Sequence, residues 1–482
     1  MKAETVNITQ ALAESCAGVS FNDLSPQDVD TIKLALLDSI GCALGAYAVD
    51  KPRLVIDFIR ELRGGTQASI IGSPPTSPDL AAFANGELIN CLDYDILGPL
   101  AGHVCPYVLP SCLTMAEKAR ASGRELILSI GLALEVGGRI TASLGQHKVL
   151  IDEPPFYRDN ERFTYASTVY GGVAGAARLL GLDAAGIVHA FGIAGASTPV
   201  PALMKWEMTG GPSPMCKYDA WAGWVAQLAV VATLLADRGF TGDTTILDGE
   251  WGFPTIIAAP FFNVDSLLSG LGKTWHVCEV NFKKYPVCRL NHAGIDGLNQ
   301  ILQENSIPPE EIQEIAVKGD PLLLTPNRVI TEVSSFLDAQ FSDVIIFATA
   351  AFYGREPGPA WQTPAVYDDP RVKALAQKVR VEKHPRTDEL MIGKVKSGKL
   401  PVFTDTIVEV TAGGRKYLVE IPAPKGTLAN PMSEAELVDK FRINAAFSAV
   451  PGNRVDEIVR SVMTLEKLDD VTKLMRLLSV PG

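Results

Sequence analysis

Residues 171–182 read GGVAGAARLLGL, and residues 221–237 read WAGWVAQLAVVATLLAD. Both stretches are rich in alanine, glycine and leucine, and neither contains a proline. Helices made of such small residues can pack closely on every side, which is typical of a buried helical core. The two stretches therefore predict that the first half of the chain is mainly α-helical.

Helix start signals support this prediction on both sides of the two stretches. Ser25-Pro26 precedes apolar residues spaced as one face of a helix, with proline at a tolerated first-turn position. Ser122 with Glu125 forms a capping-box pattern before an apolar run. Ser433 with Glu436 repeats the pattern and predicts a helical tail that runs to Leu478.

The character of the sequence changes near residue 270. Helical stretches such as His292–Glu304 now alternate with short β-branched runs, namely Val277–Phe282, Ile315–Val317, Lys378–Val381 and Thr406–Val410. Thr406–Ile421 is typical of a hairpin that turns at Gly413-Gly414. We predict a mainly α protein with a helical domain (1–269), an inserted α+β lid domain (270–428) and C-terminal helices (429–482) that return to the helical domain.

Composition excludes several classes of protein. The 482 residues carry a formal charge of −12, which argues against a nucleic-acid or anionic-membrane surface. The first 20 residues lack the basic and apolar regions of a signal peptide, and no membrane-spanning segment is expected. The eight cysteines include no Cys-x-x-Cys pair, so we expect reduced thiols, no structural metal and a cytoplasmic location.

Three segments concentrate residues that could carry chemistry. The first, residues 85–110, contains Asp93, Tyr94, Asp95 and His103, which could supply an acid, a base or a partner for a substrate hydroxyl. The alternative is that the two aspartates cap a helix end and the histidine is satisfied within a loop. The residues alone leave both interpretations open.

The other two segments are cationic. Lys217 stands among Met, Cys and Trp residues, where it could bind a carboxylate, although it could equally be an ordinary solvated lysine. Residues 282–292 read FKKYPVCRLNH and crowd three cations, a tyrosine and a histidine into a short stretch of an acidic protein. An anion site is one interpretation, with Arg289 as a bidentate clamp, and a solvated basic turn is the other.

Taken together and in order, these segments resemble the MmgE/PrpD family, which includes 2-methylcitrate dehydratase, cis-aconitate decarboxylase and iminodisuccinate epimerase. The resemblance covers nearly the whole chain. It rests on Leu36–Cys42, Asn85-Gly86, Leu92–Asp95, His103, Leu109-Pro110, Ala121–Arg124, Gly171–Leu182, Lys217, Gly239–Gly242, Tyr285–His292 and Gln340–Ser342.

The resemblance implies a helical domain with an α+β lid, an active site between them and a homodimer. By motif, Asp93, His103, Lys217 and Lys283 match active-site positions of the family. Lys284, Tyr285, Arg289 and His292 lie in the matching lid segment and are predicted to bind substrate. The implied substrate is a small anion, and the implied chemistry needs no cofactor and no metal.

The sequence departs from the family at two places, one of which is Trp221, where relatives often have histidine or glycine after the Lys217 motif. The other departure is a missing histidine. Relatives commonly have a histidine just before the Gly/Ala-rich helix, whereas residues 161–171 contain none. Arg162 or Tyr165 falls at its place, depending on the register. Tyrosine could donate a proton or a hydrogen bond, and arginine could bind a carboxylate, but neither titrates near neutral pH as imidazole does.

These observations lead to one functional hypothesis with two alternatives. The hypothesis is a cofactor-independent carbon–oxygen or carbon–carbon lyase, a dehydratase or decarboxylase, acting on a small polycarboxylate or a related biosynthetic acid. In the first alternative the same proton-transfer site serves an epimerase or isomerase. In the second the chain is a non-catalytic homologue that binds a metabolite. The missing histidine favours the alternatives, and the family motifs favour the lyase.

Overall fold

The computed structural model describes residues 7–62, 64–98, 100, 102–145, 148–151, 156–159, 165–198, 211, 213–216, 221–259, 261–396 and 405–480. The helices are α1 Ile8–Gly18, α2 Pro26–Gly45, α3 Lys51–Glu61, α4 Pro78–Asn90, α5 Cys105–Ala119, α6 Gly123–Ser143, α7 Val169–Leu180, α8 Ala184–Ser197, α9 Ala222–Asp237, α10 Phe253–Ile256, α11 Val264–Leu268, α12 His292–Glu304, α13 Phe336–Phe341, α14 Asp343–Tyr353, α15 Pro364–Tyr367, α16 Pro370–Ala376, α17 Thr387–Lys396, α18 Glu434–Ala445, α19 Gly452–Met463 and α20 Thr472–Leu478. The strands are β1 Lys148–Ile151, β2 Phe156–Asp159, β3 Ile312–Gly319, β4 Val379–Lys383, β5 Thr406–Ala412 and β6 Arg415–Ile421. The mainly α fold with an α+β region is confirmed.

The glycines of the opening stretch allow three helices to pack closely. A Cβ atom on Gly171 of α7 would lie 2.3 Å from the carbonyl oxygen of Ala133 on α6. One on Gly175 would lie 2.6 Å from Sγ of Cys112 on α5. Both distances are shorter than van der Waals contact, so a side chain at either position would push the helices apart.

The predicted helix starts are confirmed at atomic detail. The backbone N–H of Ser122 donates to the Glu125 carboxylate over 2.6 Å, and the N–H of Glu125 donates back to the Ser122 hydroxyl over 3.3 Å. Ser433 and Glu436 make the same reciprocal pair at the start of α18. Each pair satisfies backbone donors that the first turn of a helix leaves without a partner.

Two large hydrophobic cores and one small cluster, which includes Met115 and Val230, organise the described residues. The larger core contains side chains from α1–α9 together with Leu437 and Phe441 of α18 and Leu474 of α20, so the C-terminal helices share the core of the helical part. The smaller core lies in the α+β part and includes Ile315, Phe347 and Val408. Its four-stranded sheet has the order β4-β3-β5-β6, in which only the β3–β4 pair is parallel.

Two sequence-based expectations about strands turn out differently. Val277–Phe282 is not a strand of the sheet: Val277–Glu279 forms a 3₁₀ turn, and Asn281 instead makes a single antiparallel bridge with Leu97. The hairpin of β1 with β2 was not predicted, since the first half reads as helices only. The hairpin of β5 with β6 is confirmed, and Gly413 and Gly414 both adopt the positive φ that its tight turn requires.

One helix, Gly123–Ser143, has the length and apolar character needed to cross a bilayer. In its most apolar window, 94% of the residues are buried inside the protein. This is the environment of a core helix in a globular protein.

Candidate active site

Three of the predicted residues come from the loop between α4 and α5. Asp93 and Asp95 follow the end of α4, and His103 precedes the start of α5 at Cys105. The loop is tied to the chain segment before α12 because Leu97 exchanges two backbone hydrogen bonds with Asn281, over 2.9 and 2.7 Å. Lys283 is only two residues beyond this bridge, which brings it to the loop.

These four side chains form one buried group, which we call the site cluster (Asp93, Asp95, His103 and Lys283). Nδ1 of His103 lies 2.7 Å from Oδ2 of Asp95, and its Nε2 lies 3.3 Å from Oδ1 of Asp93. The Lys283 ammonium lies 2.8 Å from the same Asp93 oxygen and donates to the Asp93 carbonyl over 2.7 Å. His103 is the most accessible of the four, at 7% exposure.

The charges of the cluster oppose the effect of its burial. Burial by itself raises the pKa of the Asp95 carboxyl, because a charged carboxylate loses its hydration. The charge and hydrogen bond of His103, together with the charge of Lys283, outweigh burial and leave this pKa below its ordinary value. Asp95 is therefore an ionised partner for the imidazole ring.

Tyr165 lies beside the cluster. Its ring meets the His103 ring edge to face, with 5.8 Å between the centroids, and stacks on Tyr107 at 5.4 Å. Its hydroxyl is so near Gly102 that a Cβ atom there would lie 1.8 Å from the oxygen. The structure thus brings Tyr165 to His103, whereas Arg162 and Lys217 lie outside the described residues.

Arg289 and His292 form a second buried group next to Lys283. Nη1 of Arg289 donates to the carbonyl of Phe282 over 3.3 Å and lies 3.3 Å from Nδ1 of His292. Burial lowers the pKa of Arg289 to about 10. Burial, and next the charges of Arg289 and Lys283, hold the pKa of His292 well below its ordinary value, so this ring is neutral. Its Nε2 then donates to the carbonyl of Val287.

Lys284 and Tyr285 interact with a different part of the α+β region, at Asp296 of α12. The Tyr285 hydroxyl donates to Asp296 over 2.7 Å, and the Lys284 ammonium lies 3.6 Å from the same carboxylate. Lys284 also lines a cavity of about 350 Å³ with Asn299 and Arg355. The structure does not bring these two side chains to the site cluster, and their role in substrate binding stays a prediction.

Sequence reasoning named Asp95 among the candidates without assigning it a partner, and it missed Gln362. Asp95 is the tightest partner of His103, but its spacing from Asp93 gave no sign of which carboxylate would be chosen. Gln340 donates to the carbonyl of Cys91 over 3.1 Å, and Gln362 donates to the carbonyl of Leu92 over 2.8 Å. Both amides hold the backbone immediately before Asp93. The Gln340-Phe341-Ser342 motif was a signal for the first of them.

The oxygen and nitrogen atoms of Asp93, Asp95 and His103 lie within 4.8 Å of one another, which is close enough to bind a metal ion. Lys283 changes this interpretation because its ammonium already pairs with Asp93. A divalent cation on these ligands would lie beside a fixed positive charge. The donor set fits a proton-transfer group better than a metal centre.

Comparison with known proteins agrees with this architecture. The model of the MmgE/PrpD N-terminal domain matches residues 10–261, and that of the MmgE/PrpD C-terminal domain matches residues 285–465. The chain belongs to the MmgE/PrpD family. The N-terminal match contains the loop that carries Asp93, Asp95 and His103, and the C-terminal match begins two residues after Lys283.

Relatives of this MmgE/PrpD protein span its whole length. It is 24% identical to cis-aconitate decarboxylase of Homo sapiens over 493 residues, which cover 99% of this chain and 95% of the relative. It is 25% identical to the Mus musculus enzyme of the same name, with 99% and 94% covered. It is 24% identical to cis-aconitate decarboxylase of Aspergillus terreus, with 98% and 96% covered. The family and these relatives support a lyase-type activity in general.

Proposed function

We propose that this protein is a cofactor-independent decarboxylase of a small polycarboxylate, with cis-aconitate as the first substrate to test. The observation that carries the proposal is the placement of the His103 ring between two carboxylates in a buried cluster. The names of the relatives supply the candidate substrate. The active site would lie where the α4–α5 loop meets the lid, since Lys283 comes from the lid side.

The arrangement of the ring supports a role as an acid. Carboxylate oxygens only accept hydrogen bonds, and each ring nitrogen of His103 faces one of them. A neutral imidazole has one N–H donor, whereas an imidazolium has two and satisfies both neighbours. With His103 protonated, two positive and two negative charges of the site cluster balance.

A decarboxylase needs such an acid. When the carbon–carbon bond breaks, carbon dioxide departs and the bonding electron pair stays on the remaining acid. In an unsaturated acid this pair moves through the double bond, and a proton must then be delivered to carbon. The His103 imidazolium supplies that proton and is recharged from water after the product leaves.

The cations of the site have a complementary task. A polycarboxylate is repelled by a protein of net charge −12, so binding depends on local positive charge. We assign this role to Lys283, Lys217 and Arg162, and we assign to Tyr165 a hydrogen bond from its hydroxyl to a substrate carboxylate. Fixed cations also stabilise the negative charge that develops as carbon dioxide leaves.

Proton NMR in deuterated water tests the proposal. Purified protein is incubated separately with cis-aconitate, citrate, 2-methylcitrate and racemisable diacids. Loss of carbon dioxide from cis-aconitate, with one deuteron on a product carbon, supports decarboxylation. Loss of water from either citrate would replace the decarboxylase with a dehydratase.

A second candidate is an epimerase that uses the same site. The absence of a histidine from residues 161–171 and the contact of Tyr165 with His103 favour it, because proton removal and return can use two groups on one centre. Deuterium exchange at carbon in a diacid, without loss of carbon dioxide or water, identifies this activity. We also propose that the protein is a homodimer, which light scattering after size-exclusion chromatography measures directly.

A further inference from the structure

Lys440 of α18 is a buried cation far from the site in sequence, at 4% exposure. Its ammonium lies 2.8 Å from Oδ1 of Asp38 on α2. It also donates to the carbonyl of Tyr94 over 2.8 Å and to the carbonyl of Lys283 over 2.9 Å. The ammonium thus makes one ion pair and two hydrogen bonds, all within 2.9 Å.

The backbone carbonyls of Tyr94 and Lys283 connect Lys440 to the site cluster. One belongs to the residue directly after Asp93, and the other belongs to Lys283 itself. The ammonium therefore fixes the backbone on both sides of the Asp93–Lys283 ion pair. It also lies 3.7 Å from the centroid of the Tyr94 ring, which gives it a fourth contact on the same loop.

The backbone at Asp93 needs such support. Asp93 has a φ of 51°, in the left-handed region that residues with a Cβ atom rarely adopt. A conformation of this kind persists when the surrounding structure holds it in place. The Asp93 carbonyl accepts from Lys283, and the next carbonyl along the chain accepts from Lys440. Two ammonium groups thus hold consecutive peptide units at this turn.

The ion pair with Asp38 holds the Lys440 ammonium in position. Burial raises the pKa of the Asp38 carboxyl, and Lys440 opposes that rise. Asp38 also belongs to the Leu36–Cys42 motif, in which no residue has a role in the proposed chemistry. Asp38 pairs with Lys440, which in turn binds the backbone next to Asp93, and this gives the motif a structural role.

We propose that Lys440 and Asp38 form a positioning pair, which holds Asp93 and Lys283 in the geometry that proton transfer by His103 requires. This inference rests on the proposed function, because the positioning serves the decarboxylation. Neither residue of the pair touches the reacting atoms. Their effect is transmitted through the backbone at Tyr94 and Lys283.

The test compares the double variant Lys440→Met/Asp38→Asn with Lys33→Met. The double variant removes both charges of the pair. No unpaired charge is left buried, so the variant avoids the main cause of lost stability. Lys33 is the matched control because it also lies on α2, is similarly buried and binds the C-terminal helices through the carbonyl of Met463 and Glu466. It makes no contact with the site loop in these bonds.

Two measurements separate positioning from general loss of stability. Displacing catalytic groups by a fraction of an ångström to an ångström costs about 10- to 100-fold in rate, so we expect kcat for cis-aconitate to fall by this factor in the double variant. Lys33→Met is expected to keep the wild-type kcat. Hydrogen exchange, read by mass spectrometry, is expected to accelerate in peptides covering residues 91–95 and 282–285 of the double variant alone.

Each outcome bears on the positioning pair. A wild-type kcat in the double variant, or an equal loss of kcat in Lys33→Met, overturns it. If the wild-type protein releases no carbon dioxide from any acid tested, the proposed function fails while hydrogen exchange still decides the inference. Faster exchange confined to the two peptides then supports the positioning pair, and unchanged or uniformly faster exchange overturns it.

Discussion

Asp95 and Asp343 are both fully buried aspartates, yet their carboxyl pKa values shift in opposite directions. Asp95 belongs to the site cluster, where the charges of His103 and Lys283 outweigh burial and lower its pKa. Asp343 belongs to a group in the α+β region that we call the lid cluster (Asn291, Arg328 and Asp343). There burial dominates over Arg328 and Asn291 and raises the pKa to about 7.

The difference lies in the distance to the compensating charge. In the site cluster an imidazole nitrogen is 2.7 Å from Asp95, whereas in the lid cluster the Arg328 guanidinium is 3.8 Å from Asp343. The closest partner of Asp343 is the neutral amide of Asn291, at 2.8 Å. Equal burial thus accompanies a lowered carboxyl pKa at Asp95 and a carboxyl pKa raised to about 7 at Asp343.

The largest loss of activity is expected when the site cluster loses its fixed cation, Lys283. Lys283→Met is expected to lower kcat by about 10²- to 10³-fold, because the developing negative charge of the substrate loses a stabilising partner. Steady-state release of carbon dioxide from cis-aconitate measures it. Asp343→Asn is the matched control and is expected to retain the wild-type rate.

Lys283→Met leaves Asp93 buried beside a methionine, so the variant needs a check on folding. The double variant Lys283→Met/Asp93→Asn removes the unpaired carboxylate and is expected to fold with the same loss of rate. A wild-type rate in the double variant would remove both residues from the mechanism. Circular dichroism and thermal unfolding establish that the variants are folded.

A somewhat smaller loss is expected when the partner of His103 is neutralised. Asp95→Asn keeps the shape of the side chain but removes the charge that stabilises the imidazolium, and we expect kcat to fall by about 10- to 10³-fold. The KM for cis-aconitate should change little, because Asp95 faces the ring of His103. A large rise in KM with unchanged kcat would instead place Asp95 among the residues that bind substrate.

The lid cluster is expected to affect stability instead of activity. Because the pKa of Asp343 is raised in the folded state, the native protein retains a proton that the unfolded chain releases between about pH 4 and pH 7. The contribution of Asp343 to the free energy of unfolding is therefore lost as the pH rises through this window. Urea unfolding at pH 5 and pH 8 should show wild type losing on the order of 2 kcal/mol more stability than Asp343→Asn.

In the site cluster, the contribution of Asp95 to stability depends on pH in the opposite direction. The pKa of Asp95 is lowered in the folded state, so its contribution to stability is present above the unfolded pKa of about 4 and is lost as the pH falls further. Replacing it with asparagine should remove part of the acid sensitivity. Equal pH dependence of Asp95→Asn and Asp343→Asn would contradict the distinction between the two clusters.

The smallest expected effect is that of metal removal. Lys283 already neutralises Asp93, so we expect prolonged treatment with EDTA to leave the rate of decarboxylation unchanged. The same enzyme assayed with added Mg²⁺, Mn²⁺ or Zn²⁺ serves as the comparison. Loss of activity with EDTA and its return with one of these ions would show that the cluster binds a metal.

Much of the fold could be predicted because its signals are local. Capping pairs such as Ser122 with Glu125, and the glycines of α7, determine helix starts and close packing from a few neighbouring residues. Val277–Phe282 was predicted less well because its outcome depends on a distant residue. The β-branched pattern is typical of a strand, but Asn281 pairs with Leu97 of the helical part and not with the sheet.

The candidate site depends even more on contacts between residues that are distant in the sequence. Asp93, His103 and Lys283 were selected through family motifs, and the structure brings them together. Their geometry was not predictable because Lys283 is 190 residues away from its partner Asp93. Lys440 is still farther from Tyr94, at 346 residues, and its surroundings in the sequence contain none of the family motifs. Contacts of this kind are set by how α18 packs on α2, which no local pattern encodes.

The central claim is that the His103 imidazolium delivers a proton to carbon during decarboxylation. The most direct measurement is single-turnover decarboxylation of cis-aconitate in deuterated water by wild type and by His103→Asn. We predict a singly deuterated product from the wild-type protein and a rate about 10²- to 10⁴-fold lower in the variant. A wild-type rate of carbon dioxide release in folded His103→Asn would contradict the claim.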